Sequence, residues 1–332
     1  MIGAAGGAIC AALHVPAPWL AGSMALSVAA AFAGIRISLP DWLKSLAFIL
    51  LGVQTGTSVS ADTLSRAAHW PLSLVLLAVT VVAVTWSGYR FYVKARGWDG
   101  PTALFASLPG ALSMVLLLAS ETGADIRRIA IAQDIRLFFL VALLPGLIEL
   151  MSATTAAAAT PVIATHWHLL ALLAGAAAAG VALEKLRVPA GLILGAVAAA
   201  AVLELTGFVS GAAPTSVLIP ANVVLGVMIA SRFNDFTWAE FRAALGDGFT
   251  GFIIALGLAA AGAALAAAAA GLPFALTLLA FAPGGLEAQM MMAFALGLDP
   301  AYVGAHQLAR YVGMVLLMPV VTAWLMRRIL RS

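Results

Sequence analysis

Apolar stretches of membrane-spanning length alternate with short polar ones along the whole chain. Since an apolar helix of about 20 residues crosses the ~30 Å hydrocarbon core of a bilayer, this alternation predicts an all-α polytopic membrane protein. The stretches form two sets of six. The first set covers residues 1–13, 17–34, 45–60, 70–93, 101–120 and 128–150, and the second covers 167–183, 189–206, 217–231, 246–270, 273–298 and 301–325.

The second set repeats the first at a nearly constant difference in residue number, which we call the repeat offset. The offset is 283 minus 109, since it places Pro109–Gly110 on Pro283–Gly284. Polar positions downstream align at the same offset without a gap. The matched polar pairs are Asp125 with Asp299, Gln133 with Gln307, and Arg136 with Arg310. Chance matching of apolar residues would not align these polar positions, so the pattern indicates an internal duplication. It predicts a first repeat at 1–150, a linker at 151–166 and a second repeat at 167–332.

The fifth stretch of each repeat contains a Pro-Gly interruption, in "FASLPGALSMVLLLAS" (105–120) and "FAPGGLEAQMMMAF" (281–294). Proline lacks an amide donor and glycine accepts left-handed backbone angles, so the pair favours a tight reversal between two short helices. Arms of 6–10 residues rise about 9–15 Å, roughly half the hydrocarbon thickness. The pattern therefore predicts two re-entrant hairpins whose turns meet near the middle of the membrane.

Loop charges favour the hairpins over spanning helices. If all twelve stretches crossed the membrane, eight basic residues would lie on one side and seven on the other. If both fifth stretches turn back, fourteen lie on the cytoplasmic side and only Arg66 on the other, leaving aside Arg136 and Arg310 within helices. Because Lys and Arg in short loops prefer the cytoplasm, the second arrangement is predicted. Each repeat then has five crossings, the second repeat is inverted, and both termini are cytoplasmic.

Composition excludes a soluble enzyme. The chain is 63% hydrophobic and 9% charged with a mean hydropathy of +1.07, whereas soluble proteins carry about 25% charged residues. The net charge of +3 reflects basic loops, so no nucleic-acid partner is expected. No catalytic residue and no metal ligand set is predicted.

Ionisable residues inside apolar stretches are costly and mark candidate sites. Gln133 and Arg136 lie three residues apart on one helical face, as do Gln307 and Arg310, and His306 shares the face of Arg310. Two such guanidinium–amide pairs suit a carboxylate or another oxyanion. In the alternative interpretation, the arginines neutralise Asp134, Glu121 or Glu287, and both interpretations can hold together.

Glu287 follows the second Pro-Gly turn, and Ser113 stands at the equivalent place in the first. A lone carboxylate there predicts a proton or sodium site, with Asp134 as a second candidate. The predicted solute and ion site comprises Pro109, Gly110, Gln133, Asp134, Arg136, Pro283, Gly284, Gly285, Glu287, Gln289, His306, Gln307 and Arg310.

The stretches "LPGALSMVLLLASETGADIRRIAIAQDIRLFF" (108–139) and "APGGLEAQMMMAFALGLDPAYVGAHQLARYVG" (282–313) resemble the AbrB membrane-protein family, over almost the whole chain. One departure is "ALS" at 111–113, where the family usually has Gly-Leu-Ser or Gly-Leu-Glu. The resemblance implies a bacterial inner-membrane protein associated with regulation of gene expression. Members are also described as ammonia-monooxygenase-like, but five scattered histidines and one cysteine assemble no copper site.

Inverted repeats with broken helices are typical of secondary transporters, and the arrangement is similar in fold to glutamate and 2-hydroxycarboxylate symporters. We therefore expect an elevator-like transporter of a small anionic or zwitterionic solute, with H⁺ or Na⁺ as coupling ion and no other cofactor. Expected partners are the solute, the lipid bilayer and a second copy of the chain. Alternatives are a membrane sensor that does not translocate its ligand, and an ammonia-type channel.

Overall fold

The computed structural model describes residues 1–59, 70–110, 112–151, 165–186, 188, 191–209, 211 and 213–329, without the side chains of residues 113, 287, 291, 294 and 321–329. Several predicted features lie outside this description. They are Arg66, most of the 151–166 linker, position 111 in the first hairpin, and the side chain of Glu287.

Every element among the described residues is a helix, which confirms the all-α prediction for that part of the chain. In chain order the helices are α1 (Ile2–Ala12), α2 (Pro18–Phe32), α3 (Asp41–Gly56), α4 (Trp70–Arg96), α5 (Gly100–Ser107), α6 (Leu112–Ser120), α7 (Ile126–Met151), α8 (His166–Lys185), α9 (Gly191–Leu205), α10 (Thr215–Ser231), α11 (Trp238–Ala270), α12 (Phe274–Phe281), α13 (Leu286–Ala295) and α14 (Pro300–Ile329).

Helix boundaries recur at the spacing of the sequence duplication. Helices α3 and α10 begin one repeat offset apart, α5 and α12 both begin and end at that offset, and α2 and α9 do so at one position less. Helices α4 and α11 also end one repeat offset apart. Each is followed by a glycine with positive φ, Gly97 at 66° and Gly271 at 63°, the backbone conformation that commonly ends a helix.

Four described helices, α4, α7, α8 and α11, are long and apolar enough to cross a membrane. Helices α1, α2, α9 and α10 are apolar but contain only 11 to 17 residues. At 1.5 Å per residue, α1 reaches about 16 Å, roughly half of the hydrocarbon thickness. By length and composition these are the helices of a membrane protein.

The chain folds into two compact units. The first comprises Met1–Ala68, Pro145–Asp235 and Met290–Tyr302, and the second comprises His69–Leu144, Phe236–Gln289 and Val303–Ser332.

Helices of the first unit cross closely at glycines. A Cβ on Gly226 of α10 would lie 2.6 Å from the carbonyl oxygen of Leu20 on α2. A Cβ on Gly52 of α3 would lie 3.0 Å from the carbonyl oxygen of Ile193 on α9. The two glycines are one repeat offset apart, and their neighbours are separated by one position less, so the crossings are repeat-related copies.

The second unit contains both Pro-Gly interruptions. Its core combines Tyr92 of α4, Phe105 of α5, Ile129 of α7 and Met314 of α14, which are all buried. Helix α4 also packs on α11, where a Cβ on Gly262 would collide with Thr80. This unit positions the candidate site.

Candidate functional site

The Pro-Gly motif of the first repeat separates two short helices that double back. Helix α5 begins at an N-cap, Asp99, whose carboxylate accepts the amide of Thr102 at 2.9 Å. The Thr102 hydroxyl accepts the amide of Asp125 at 2.8 Å. Since Asp125 follows α6, the chain returns to the place where α5 began. The turn between them places Gly110 at φ +103°, an angle that favours glycine.

The second hairpin has two short helices that begin at the equivalent positions. Helix α12 ends at Phe281 and α13 begins at Leu286, with the Pro-Gly-Gly turn between them. The amide of Ala282 still donates to Leu278 at 2.9 Å, and the amide of Gly284 donates to Ala282 at 3.0 Å. Several backbone carbonyls near this turn are left for side chains to satisfy.

Gln133 and Arg136, which we call the first clamp, bind the end of α5. The Gln133 amide donates to the carbonyl oxygen of Phe105 at 2.9 Å, and Arg136 Nη2 donates to that of Leu108 at 2.7 Å. Both side chains are buried. The first clamp therefore joins α7 to the broken end of the first hairpin.

Gln307 and Arg310, the second clamp, repeat this arrangement on α14. Gln307 donates to the carbonyl oxygen of Ala280 at 2.9 Å, and Arg310 Nη1 donates to that of Ala282 at 2.7 Å. Because Leu108 and Ala282 are also one repeat offset apart, the two arginine bonds are repeat-related. Arg310 Nη2 also donates to the carbonyl oxygen of Gly284 at 2.6 Å and to the Gln307 side-chain oxygen.

These contacts explain why arginine occupies both positions. The last carbonyls of a helix lack intrahelical partners and carry the negative end of its dipole. A guanidinium satisfies several of them at once, since it offers five fixed donors. Each arginine thus stabilises a broken helix end where water is scarce.

The interpretation that acidic side chains neutralise the arginines applies in part. Asp134 is buried and interacts electrostatically with Arg136, while Glu121 is exposed. Arg310 lies close enough to Arg136 for repulsion between the two charges. A third acidic candidate, Glu287, has an undescribed side chain.

The two hairpin turns come together beside the second clamp. A Cβ on Gly110 would lie 3.5 Å from the carbonyl oxygen of Gly284 and 3.8 Å from Arg310 Nη2. Leu108, two residues before Gly110, accepts from Arg136. The structure therefore brings both turns and both guanidinium groups to one place in the second unit.

Gln289 adds an unsatisfied acceptor to this place. Its amide nitrogen donates to the carbonyl oxygen of Ala282 at 2.6 Å. Its side-chain oxygen is buried and has no hydrogen-bond partner among the described residues. A bound solute or ion offering a donor or positive charge would satisfy that oxygen.

His306 packs between α4 and the end of α12, where its ring lies 6.2 Å from that of Phe281. Its Nε2 is 2.7 Å from the Ser73 hydroxyl, and its ring lies 6.1 Å from that of Trp70. The sequence pattern pointed to His306 but to none of these neighbours. The sequence pattern also did not indicate which backbone carbonyls accept bonds from the clamps. Every residue type has the same carbonyl group, so the sequence does not mark those left unpaired by a helix break.

No group of three or more His, Cys, Asp or Glu side chains that could hold a metal ion occurs among the described residues.

Comparisons with known proteins agree over nearly the full chain. The family described as "Transition state regulatory protein AbrB" matches residues 1–56 and 19–326. A Bacillus subtilis (strain 168) protein named "Uncharacterized protein YhjN" is 28% identical, over 96% of this chain and 90% of its own. An Escherichia coli (strain K12) protein named "Putative regulator AbrB" is 26% identical, over 95% of this chain and 91% of its own.

Proposed function

This chain belongs to the AbrB family, and from its two clamps we propose that it is a secondary transporter of a small anionic or zwitterionic solute. The observation that carries the proposal is the pair of repeat-related bonds from Arg136 to Leu108 and from Arg310 to Ala282. Broken helices with buried charges at their ends are the usual construction of a transporter binding site.

Charge balance favours an anion over a cation. Arg136, Arg310 and Asp134 are the charged residues buried among the described side chains. These three described groups alone carry an excess of positive charge, which is costly in a low-dielectric interior and which a proton on Glu287 would leave unchanged. An anionic group on the solute lowers that cost and accepts charge-assisted hydrogen bonds from the guanidinium groups.

The division of the chain into two units supports an elevator-like movement. Both Pro-Gly turns and both clamps fall within the second unit, whereas α1–α3 and α8–α10 fall within the first. We assign the second unit as the moving part, and the first as a scaffold that forms a homodimer. Glu287 is the proposed site for a coupling proton or sodium ion.

Basic loop residues support the topology of this proposal. With ten crossings and two re-entrant hairpins, fourteen Lys and Arg residues in loops or near helix ends would lie in the cytoplasm, together with both termini. The protein would then lie in the bacterial inner membrane, with an inverted second repeat.

Binding and flux measurements test the proposal. Purified protein is screened by thermal shift against organic acids, amino acids and amines, and the best compound is then assayed for flux in proteoliposomes. We expect Arg136→Ala and Arg310→Ala to abolish both the shift and the flux. Arg310→Lys keeps the charge but loses the fork of bonds, so we expect about tenfold weaker binding.

The matched control is Arg90→Ala, which removes an exposed arginine of α4 and should leave binding and flux unchanged. Unfolding temperatures are measured for every variant, because the clamps also stabilise the hairpins. Binding and flux that survive Arg310→Ala in a folded protein would refute the assignment.

A second candidate function is a membrane sensor that binds its ligand without moving it. The name of the Escherichia coli relative, a regulator, favours this alternative. The same experiment separates the two, since a sensor would give clamp-dependent binding without flux.

A further inference from the structure

The amide side chain of Gln289 is held beside the second Pro-Gly turn with its oxygen unpaired. Gln289 lies on α13 and is 0% exposed. Its side-chain nitrogen donates to the carbonyl oxygen of Ala282 at 2.6 Å, and its side-chain oxygen has no hydrogen-bond partner among the described residues. Because an unpaired buried acceptor costs free energy, a place that keeps one is a candidate for contact with a ligand.

The carbonyl oxygen of Ala282 is satisfied without this glutamine. It also accepts the backbone amide of Gly284 at 3.0 Å and Arg310 Nη1 at 2.7 Å. A carbonyl oxygen has two lone pairs, which these two donors already occupy. The third bond therefore sets the direction of the Gln289 amide group and is not required to complete the turn.

The first hairpin forms without a polar side chain at the equivalent place. The repeat offset takes Gln289 to Val115, which is buried on α6. The glutamines of the two clamps, in contrast, occur in both repeats. An amide at position 289 is thus not part of what both repeats need in order to fold, and a role in binding accounts for it better.

The unpaired oxygen lies within the span of a small molecule bound to the second clamp. Arg310 Nη1 and the Gln289 side-chain nitrogen donate to one oxygen, so they are no further apart than the two bond lengths together. Among the described residues, Arg310 makes three hydrogen bonds and Arg136 makes one. Each guanidinium has five N–H groups, so both retain donors for an anion. A short solute can contact a guanidinium and the Gln289 oxygen at once.

We infer that the solute carries a hydrogen-bond donor on the carbon next to its anionic group, as α-hydroxy and α-amino acids do, and that Gln289 selects for that donor. The inference rests on the proposed transport function and narrows its class of solute. The anionic group accepts bonds from the guanidinium groups, and the neighbouring hydroxyl or ammonium group donates to the Gln289 side-chain oxygen. An acid without that donor leaves the oxygen unpaired and binds more weakly.

Two series of matched acids test this selection. Propionate, lactate and alanine share one carbon skeleton, and succinate, malate and aspartate share another; within each series the second carbon carries only hydrogen, a hydroxyl group or an ammonium group. Affinities are measured by titration calorimetry of the solubilised protein. In at least one series we expect a donor-bearing acid to bind about tenfold more tightly than the unsubstituted acid. The tighter of the two donor-bearing acids shows whether the donor is neutral or charged.

Gln289→Met should remove this preference, because it keeps the shape of the side chain but not the acceptor. The donor-bearing acid should fall to the affinity of its unsubstituted analogue, whose own affinity should not decrease. Gln54→Met is the matched control. Gln54 is a buried glutamine of α3, in the first unit, whose side-chain oxygen also has no hydrogen-bond partner among the described residues. It should keep the full preference.

Several results would overturn the inference. They are binding of none of the six acids, equal affinities within both series, a preference that survives Gln289→Met in folded protein, and an equal loss of preference in Gln54→Met. A thermal shift caused by sodium alone and abolished by Gln289→Met would also overturn it, because the oxygen would then bind the coupling ion.

Failure of the selection and failure of transport are distinguishable. The expected preference without flux of any acid in proteoliposomes would keep Gln289 as a selecting residue of a ligand receptor. Flux of unsubstituted and donor-bearing acids at equal rates and equal affinities would overturn the selection but leave the transporter.

Discussion

The side chains of the two clamps form repeat-related hydrogen bonds that the sequence pattern alone does not predict. The sequence pointed to Gln133, Arg136, Gln307 and Arg310 because polar residues recur in register within apolar stretches. Their acceptors, backbone carbonyls at the broken helix ends, could not be predicted, because any residue supplies a carbonyl and only the local backbone decides which are unpaired. The clamps therefore act first on the protein itself, and a solute would bind beside bonds that already exist.

Gln289 gives a prediction at this scale, since its side-chain oxygen is buried beside the second clamp without a described partner. Gln289→Met keeps the shape but removes that acceptor, so we expect about tenfold weaker solute binding, measured by titration calorimetry. Loss of the bond to Ala282 should lower the free energy of unfolding by only about 1 kcal/mol. As a control, Asn234→Leu removes an amide that bonds both the N–H and the C=O of Ile37, and it should lower stability without changing affinity. Unchanged affinity in Gln289→Met would show that this oxygen does not contact the solute.

The sequence predicted helix ends well where hydropathy determines them. It predicted them less well where polar capping residues determine them. The breaks at both Pro-Gly motifs occur where the sequence placed them. Hydropathy predicts that the stretch containing α11 begins at residue 246, yet the helix begins at Trp238. A capping box causes the difference, in which Thr237 and Glu240 satisfy each other's backbone amides. The sequence "TWAE" contains that signal, which a hydropathy pattern overlooks because it is polar.

Close helix crossings give a prediction for whole elements. Gly226→Ala and Gly52→Ala add a methyl group against the backbone of α2 and α9, so we expect each to lower the free energy of unfolding by about 1–3 kcal/mol. Gly257→Ala on α11 is the matched control, because its Cβ would meet nothing within 4 Å; it should be neutral or stabilising by up to ~1 kcal/mol. Differential scanning fluorimetry of solubilised protein measures all three. A destabilisation limited to one of the two crossings would indicate that the repeats pack differently in solution.

At the scale of the molecule, the linear duplication and the compact units divide the chain differently. The boundary between the two repeats lies near residue 150, whereas each compact unit contains segments from both repeats. Sequence periodicity finds the repeats because they are contiguous. The units depend on which distant helices pack together, such as α4 with α11, and a pattern along one chain carries no record of that pairing.

The orientation of the repeats gives the last prediction, because inversion places equivalent positions on opposite faces of the membrane. Glu121 follows the first hairpin and Ala295, one repeat offset later, ends the second; both are exposed. Single cysteines at these positions, on a Cys10→Ala background, are treated in intact cells with a membrane-impermeant maleimide. We expect Ala295→Cys to react from outside, and Glu121→Cys to react only after lysis. Thr165→Cys, beyond α7, should also react from outside, which checks that α7 crosses the membrane. Labelling of both hairpin positions from the same side would mean that the repeats are parallel, and the inverted-repeat transporter would lose its basis.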